Sequence, residues 1–183
     1  MPINELFKWR LDSAQKYDES ERSLGDVLDV KSSVALVAVT FLAGVSGELI
    51  KDHGVSSQWG KVQLLVQLVA LLLLAGAGAL IVAELWPRGY MSLPTPSEDA
   101  DWIAKLEAEL GSPAAVLDKV LEVKLSRAIL RVEHNKKIND TKSYLIGQTF
   151  RFLAVAIVLI LGNLLCLAIS SSWPMLRWLF CRG

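Results

Sequence analysis

The chain has 183 residues, 52% of them hydrophobic, with 19 basic and 19 acidic side chains and a formal net charge of zero. A mean hydropathy of +0.40 argues against a water-soluble domain and for a small integral membrane protein. Its two cysteines, Cys166 and Cys181, stand 15 residues apart. That is about 22 Å along a continuous helix, too far for a bridge within one chain.

Taken in chain order, residues 1–31 read as a cytoplasmic N-terminal helix. Leu6, Trp9 and Leu11 make its apolar side, and Asp18, Glu19, Glu21 and Arg22 make a solvated stretch. Gly25 weakens its continuity by about 1 kcal/mol relative to alanine. It has no short basic leader with a cleavage site, so it reads as part of an uncleaved anchor. Residues 32–86 form a transmembrane hairpin with spans at 32–50 and 62–86. The first span is 19 residues with one charge, Glu48, and the second is 25 residues with one charge, Glu84. At ~1.5 Å per residue the second span covers about 37 Å, against ~30 Å for the hydrocarbon core of a bilayer. The polar turn 51–61 carries His53, a solvated loop histidine.

Residues 87–150 follow as a cytoplasmic linker and long helix. Three prolines and a glycine within 87–100 exclude regular structure there. Ser97 followed by Glu98, Asp99 and Asp101 reads as a helix start, and Asp101–Leu110 is expected as one short helix closed by Gly111. Ser112–Pro113 then caps a helix running to about Ser171. Val116, Val120, Val123, Leu130, Ile138 and Leu145 mark its apolar face, shared with Arg127, His134 and Thr141. Residues 151–183 hold the third span and an outer tail. Phe152–Ser170 is uncharged, and Trp173–Gly183 reads as an interfacial segment. The fold class expected is an all-α membrane protein with three transmembrane helices and a cytoplasmic helical extension.

Lysine and arginine number five in residues 1–31, two in 51–61, ten in 87–151 and two in 171–183. That alternation predicts a cytoplasmic N-terminus and an outer C-terminus in a multi-pass protein of the cell inner membrane. Trp59, Trp86, Trp173 and Trp178 stand at or just beyond span ends, where indoles collect.

A D-x-K-S tetrad occurs twice, as Asp29, Lys31, Ser32 and as Asp140, Lys142, Ser143. Each stands at or shortly before a span and reads as an inner-headgroup boundary. Together with Pro87, Arg88, Asn135, Lys136 and Asn139, the first tetrad and Lys142 give the chain a likeness to a known group. It resembles the small transmembrane effectors of bacterial anti-phage systems, the Pycsar effector and SLATT-type domains, over roughly residues 15–170. The resemblance implies a homo-oligomer that rearranges in the inner membrane and impairs it after infection. Many members carry a cyclic-nucleotide-binding or other sensor domain that is not recognisable here. Sensing is then expected of a cytosolic sensor protein, or of a nucleotide signal acting on 87–150.

Small residues recur every four positions in the spans, as Ala75, Ala79 and Ala83, as Ala43 and Gly47, and as Gly162, Cys166 and Ser170. They predict close helix packing, within the chain or between subunits. Asn163 is the one strongly polar residue deep in the third span, fit for an interhelical hydrogen bond or a pore wall. Glu48 and Glu84 lie near interfaces, within reach of Lys51 and Arg88.

No catalytic, cofactor or metal set is found; H-E-x-x-H, G-x-S-x-G and P-loop patterns do not occur. Arg127 and His134 resemble the R-x(4–6)-H pair of HEPN ribonucleases. The basic run Arg127, Arg131, Lys136, Lys137, Lys142 is expected to face anionic lipid, with no direct nucleic-acid binding. The function expected is a pore-forming or otherwise membrane-disrupting effector of abortive infection. The alternatives are a non-toxic membrane anchor that recruits a cytosolic partner, and a membrane-tethered ribonuclease.

Overall fold

The computed structural model describes residues 3–51, 58–86, 89–91 and 94–180. All regular structure among them is helical: α1 (Ile3–Lys51), α2 (Gln58–Leu85), α3 (Pro96–Leu110) and α4 (Pro113–Phe180). Three helices are long and apolar enough to cross a membrane, with candidate spans in Glu5–Ile50, Gly60–Leu85 and Pro113–Ile169. The chain divides into two compact units. The polar unit comprises Met1–Asp29 and Pro87–Ser143, and the apolar unit Val30–Trp86 and Tyr144–Gly183.

Helix ends follow local chemistry. α3 begins at Pro96, ahead of the start signal at Ser97 and five residues before the helix expected at Asp101–Leu110, because T-P-S-E is a complete capping box. The end of 87–100 is therefore helical after all. The Thr95 side chain accepts from the Glu98 amide, Glu98 returns a carboxylate to the Thr95 amide at 2.8 Å, and Pro96 is pre-set for the first turn. Gly111 closes α3 at φ 62°, a left-handed conformation suited to glycine, and its amide reaches the Glu107 carbonyl at 3.1 Å. α4 does not stop near Ser171 but stays helical through Trp173–Pro174 to Phe180. Proline removes a single backbone donor, and unwinding the segment would release several more. The side chains of the expected interfacial tail, and the turn with His53, lie outside the described residues.

In the polar unit the packed face of α1 runs Phe7, Leu11, Ala14, Asp18, Glu21, Gly25, Leu28, in steps of four and three. That of α4 runs Leu121, Leu125, Ala128, Val132, Asn135, Asn139, Lys142, in the same steps. A mean step of 3.5 keeps one seam facing its partner in left-handed supercoiled helices. Its apolar end is the cluster of Ala14, Leu125 and Ala128 with Phe7 and Leu11. Several expectations are corrected here. Leu6, Trp9 and Leu130 are exposed, as are Arg127, His134 and Thr141, whereas Asp18 is buried. Gly25 does not interrupt α1.

In the apolar unit each helix carries the same spacing. The seam of α1 is Ser32, Ala35, Val39, Leu42, Ser46; that of α2 is Gln67, Ala70, Leu74, Ala77, Ile81, Glu84; that of α4 is Ile146, Thr149, Leu153, Ala156, Ile160, Asn163. Alanine alternates with a larger residue through the core. Large side chains then fill the gaps opposite small ones, which makes interior density without strain. Beside the seam, Gly76 makes a tight approach, since a Cβ there would stand 3.1 Å from the Phe152 ring, which would have to shift by a few tenths of an ångström to admit it.

Ala75, Ala79 and Ala83 are exposed, and Ala70 and Ala77 do the packing within the chain. Residues four apart drift about 40° per step around a 3.6-residue helix, so such a stripe leaves the seam within two turns. Large apolar side chains cover the outside of the unit, with Leu72 73% exposed and Phe41, Val37 and Val158 close behind.

Candidate functional site

The polar part of the α1–α4 seam is the most chemically structured region of the chain. On α1 the 4–3 repeat places Asp18 and Glu21 where apolar residues stand before and after. On α4 it places Asn135, Asn139 and Lys142 there, from the sequence N-K-K-I-N-D-T-K. Asn135 is 0% exposed and Asn139 1%. Buried amides in such numbers need partners, or each costs about 1–3 kcal/mol.

The partners are present. Asn135 Nδ2 donates to Asp18 Oδ1 at 2.8 Å, and its Oδ1 accepts from the Met91 amide at 3.3 Å. Asn139 Nδ2 donates to the Glu21 carbonyl at 2.6 Å and to Glu21 Oε2 at 2.8 Å, while its Oδ1 accepts from Tyr90 Oη at 2.9 Å. Arg22 pairs with Asp18 at 3.4 Å and reaches the Met91 carbonyl at 3.5 Å. Two α4 asparagines thus bind both α1 and the segment 89–91.

Gly25 makes the closest approach possible. It lies one turn after Glu21, and a Cβ on it would stand 2.6 Å from Tyr90 Oη and 3.3 Å from Asn139 Oδ1. Hydrogen alone at this position lets Asn139 reach a helical carbonyl and leaves room for the tyrosine.

Lys142 closes the network. Its ammonium donates to Asp29 Oδ1 and sits 5.4 Å from the Tyr90 ring centroid. Burial alone would lower its pKa, but the hydrogen bond to Asp29 and the electrostatic attraction of Tyr90 and Asp29 outweigh it. They hold the group above the ordinary lysine value of 10.5. The two tetrads are therefore not two copies of one boundary marker in space. Asp29 of the first pairs with Lys142 of the second, whereas Lys31, Asp140 and Ser143 are exposed and Ser32 is buried in the apolar unit. Lys136 is exposed, and Pro87 and Arg88 lie outside the described residues.

A second, smaller polar group lies in the apolar unit. Asn163 Nδ2 donates to Gln67 Oε1 at 2.9 Å and approaches the Gln63 carbonyl at 3.5 Å. Gln67 Nε2 in turn donates to the Ser46 hydroxyl and its carbonyl. One polar side chain from each of three helices forms a buried chain of hydrogen bonds, with Asn163 Oδ1 left without a partner among the described residues. The other small-residue candidates are elsewhere. Gly162 and Cys166 are exposed, and Gly47 is half-buried with open space where a Cβ would stand. Glu48 is exposed, whereas Glu84 is buried, so it does not reach out to the surface.

Arg127 and His134 do not meet each other. Arg127 stacks over Trp102 at 5.2 Å and lies 3.8 Å from Asp99, which also pairs with Lys124 at 3.1 Å. His134 Nε2 donates to the Gly89 carbonyl at 3.0 Å. Among the described residues no three His, Cys, Asp or Glu side chains gather as metal ligands.

Asp18, Glu21, Gly25 and Tyr90 escaped the sequence reading as members of one network. For the first three a signal existed, since they stand in 4–3 register with Leu11, Ala14, Leu28 and Ala35. Tyr90 had none, because it comes from an irregular segment. No family model, curated protein or solved structure matches the chain.

Proposed function

We propose that this protein is a membrane effector of bacterial anti-phage immunity, a homo-oligomer that permeabilises the inner membrane when activated. Three helices span the bilayer, with the N-terminus and residues 87–150 in the cytoplasm and the C-terminus outside. The apolar outward faces of the three candidate spans support the membrane part of this reading. Such surface in water would drive aggregation.

The observation that carries the effector part concerns the residues of the anti-phage resemblance. Asp29, Asn135, Asn139 and Lys142 are far apart in sequence and belong to one connected network in the polar unit, through Tyr90 and the segment 89–91. A degenerate motif with no shared role would scatter over the surface. Here four of its residues fasten α1 to α4, two helices that also contribute spans, while Lys31 and Lys136 are exposed and Ser32 is buried in the apolar unit. A buried polar set of this kind specifies one register, and its release on a signal frees the helices for another.

The test is membrane potential in a bacterium expressing the full chain, with and without phage. Depolarisation dependent on phage is expected, and Arg127→Ala with His134→Ala should leave it intact. An undisturbed potential with the protein correctly inserted would replace the effector by a non-toxic anchor that recruits a cytosolic partner. Loss of the effect in the Arg127/His134 variant, at normal expression, would favour the tethered ribonuclease. Orientation is checked separately, by labelling Cys181 in spheroplasts with an impermeant thiol reagent.

A further inference from the structure

A cavity of about 460 Å³ in the polar unit, between α3, α4, Met91 and Pro94, shares only Met91 with the asparagine network. Met91, Glu98, Trp102, Arg127, Leu130 and Arg131 line it. Its volume lies within the range of small-molecule sites.

Arg131 is the unusual member. It is 5% exposed, and its Nε and Nη1 are shielded from water with no hydrogen-bond acceptor among the described residues. A guanidinium cannot shed its proton to escape this situation. A charge held this way is costly unless a counter-charge is supplied. Arg127 adds a second guanidinium at the same cavity. It is partly compensated by Asp99, but at 3.8 Å that pair is loose. Glu98 brings one carboxylate, whose Oε2 is committed to the Thr95 amide at the start of α3. Around the charges stand apolar walls, the exposed side chains of Leu130 and Met91 and the indole of Trp102.

We infer that this cavity is a binding site for a small ligand that carries a phosphate on a flat apolar body. The phosphate places a counter-charge beside Arg131, whose Nε and Nη1 have no acceptor among the described residues, with Arg127 at its flank, and the apolar body rests on Leu130, Met91 and Trp102. Phosphate is favoured over carboxylate because two guanidinium groups face one cavity, and a dianion matches both. The phosphate group is shared by a free phosphomonoester, which is a dianion, and by an anionic phospholipid headgroup, a diester with a single charge. The inference does not depend on the effector reading, since a ligand-gated anchor could hold the same site.

The probe is phenyl phosphate, titrated calorimetrically into the full chain in phosphatidylcholine nanodiscs, with phenol and benzoate as controls. Saturable binding of phenyl phosphate is expected, at least tenfold weaker binding of benzoate, and none of phenol. Arg131→Met should weaken phenyl phosphate at least tenfold. Because filling that position with methionine could disturb the fold, Arg127→Gln, whose side chain is half-exposed, is tested beside it with helicity matched by circular dichroism, and a threefold or greater loss is expected. Repeating the titration in nanodiscs containing phosphatidylglycerol separates the sources. Unchanged binding assigns a soluble phosphomonoester, and loss of binding assigns the lipid headgroup. No saturable binding in phosphatidylcholine, or equal binding by wild type and both variants, overturns the inference.

Discussion

The two units use one packing rule with opposite fillings. Both build seams of alternating three- and four-residue steps. In the polar unit the seam turns from Phe7, Leu11 and Ala14 to Asp18 and Glu21, met by Asn135 and Asn139. In the apolar unit it alternates alanine with leucine, isoleucine or valine, and polar residues stand only at or near the seam ends. Ser46, Gln67 and Asn163 are joined by hydrogen bonds, and Ser32, Glu84 and Thr149 stand towards the opposite ends of the same three seams. Hydrogen bonds have direction and complement, so the polar seam can settle in only one register. An Ala/large alternation repeats itself, so the apolar seam is held by size and by the polar residues at its ends. The polar unit is thus the one in which a single substitution should be felt most.

Asn139→Leu tests that difference most strongly. It removes the donor to Glu21 and the acceptor of Tyr90 together, for an expected loss of about 2–4 kcal/mol. Hydrogen exchange of the α1 and α4 backbone amides in the polar unit should rise accordingly. An unchanged exchange pattern would mean that the network is decorative.

Two overpacking variants come next. Gly25→Ala places a methyl against Tyr90 Oη, and Ala77→Leu forces a side chain into the closed seam of α2; each should cost about 1–3 kcal/mol. Tyr90→Phe should recover part of the Gly25→Ala loss in a double-mutant cycle, because it removes the clashing oxygen. Ala79→Leu, on the exposed side of α2, should leave thermal stability in detergent within about 0.5 kcal/mol. If it lowers the yield of cross-linked oligomer while Ala77→Leu lowers thermal stability, the outward alanine stripe is a subunit contact. The reverse order would return that stripe to the intrachain core.

Asn163→Leu should cost less than Asn139→Leu, roughly 0.6–2 kcal/mol, since hydrogen bonds between apolar helices are individually modest. Equal losses for the two, measured by unfolding in the same detergent, would erase the distinction between the units.

The smallest effect is the pH response of Lys142. Its folded pKa lies above the ordinary lysine value, so its stabilising contribution is complete below that value. The contribution is lost only as pH rises through the folded one. The polar unit should therefore show no pH dependence from this pair between pH 7 and 9, where its contribution is fully present, and lose about 1 kcal/mol or less at the alkaline end. Lys142→Met should remove that alkaline loss; the same loss in the variant would assign it to other groups.

The sequence by itself determined the helices and most of their ends. Leu71–Ala83 is apolar on every side and lies in a stretch, Val62–Trp86, with the length and composition of a membrane-crossing helix, and T-P-S-E before Asp99 is a start signal written in four adjacent residues. Such features are local, carried by composition and by neighbours one turn away. The faces were another matter. A helix that is apolar all round offers no contrast from which to read its packed side, so the even spacing of Ala75, Ala79 and Ala83 pointed outward while Ala70 and Ala77 were packed. In the polar unit the charged residues of α1 looked solvated because their neighbours in sequence, Glu19 and Arg22 among them, are charged themselves. Their partners, Asn135 and Asn139, arrive from positions 117 and 118 residues away. Only the tertiary structure decides such pairs, because burying a polar side chain becomes tolerable when a complementary group from a distant segment occupies the same place.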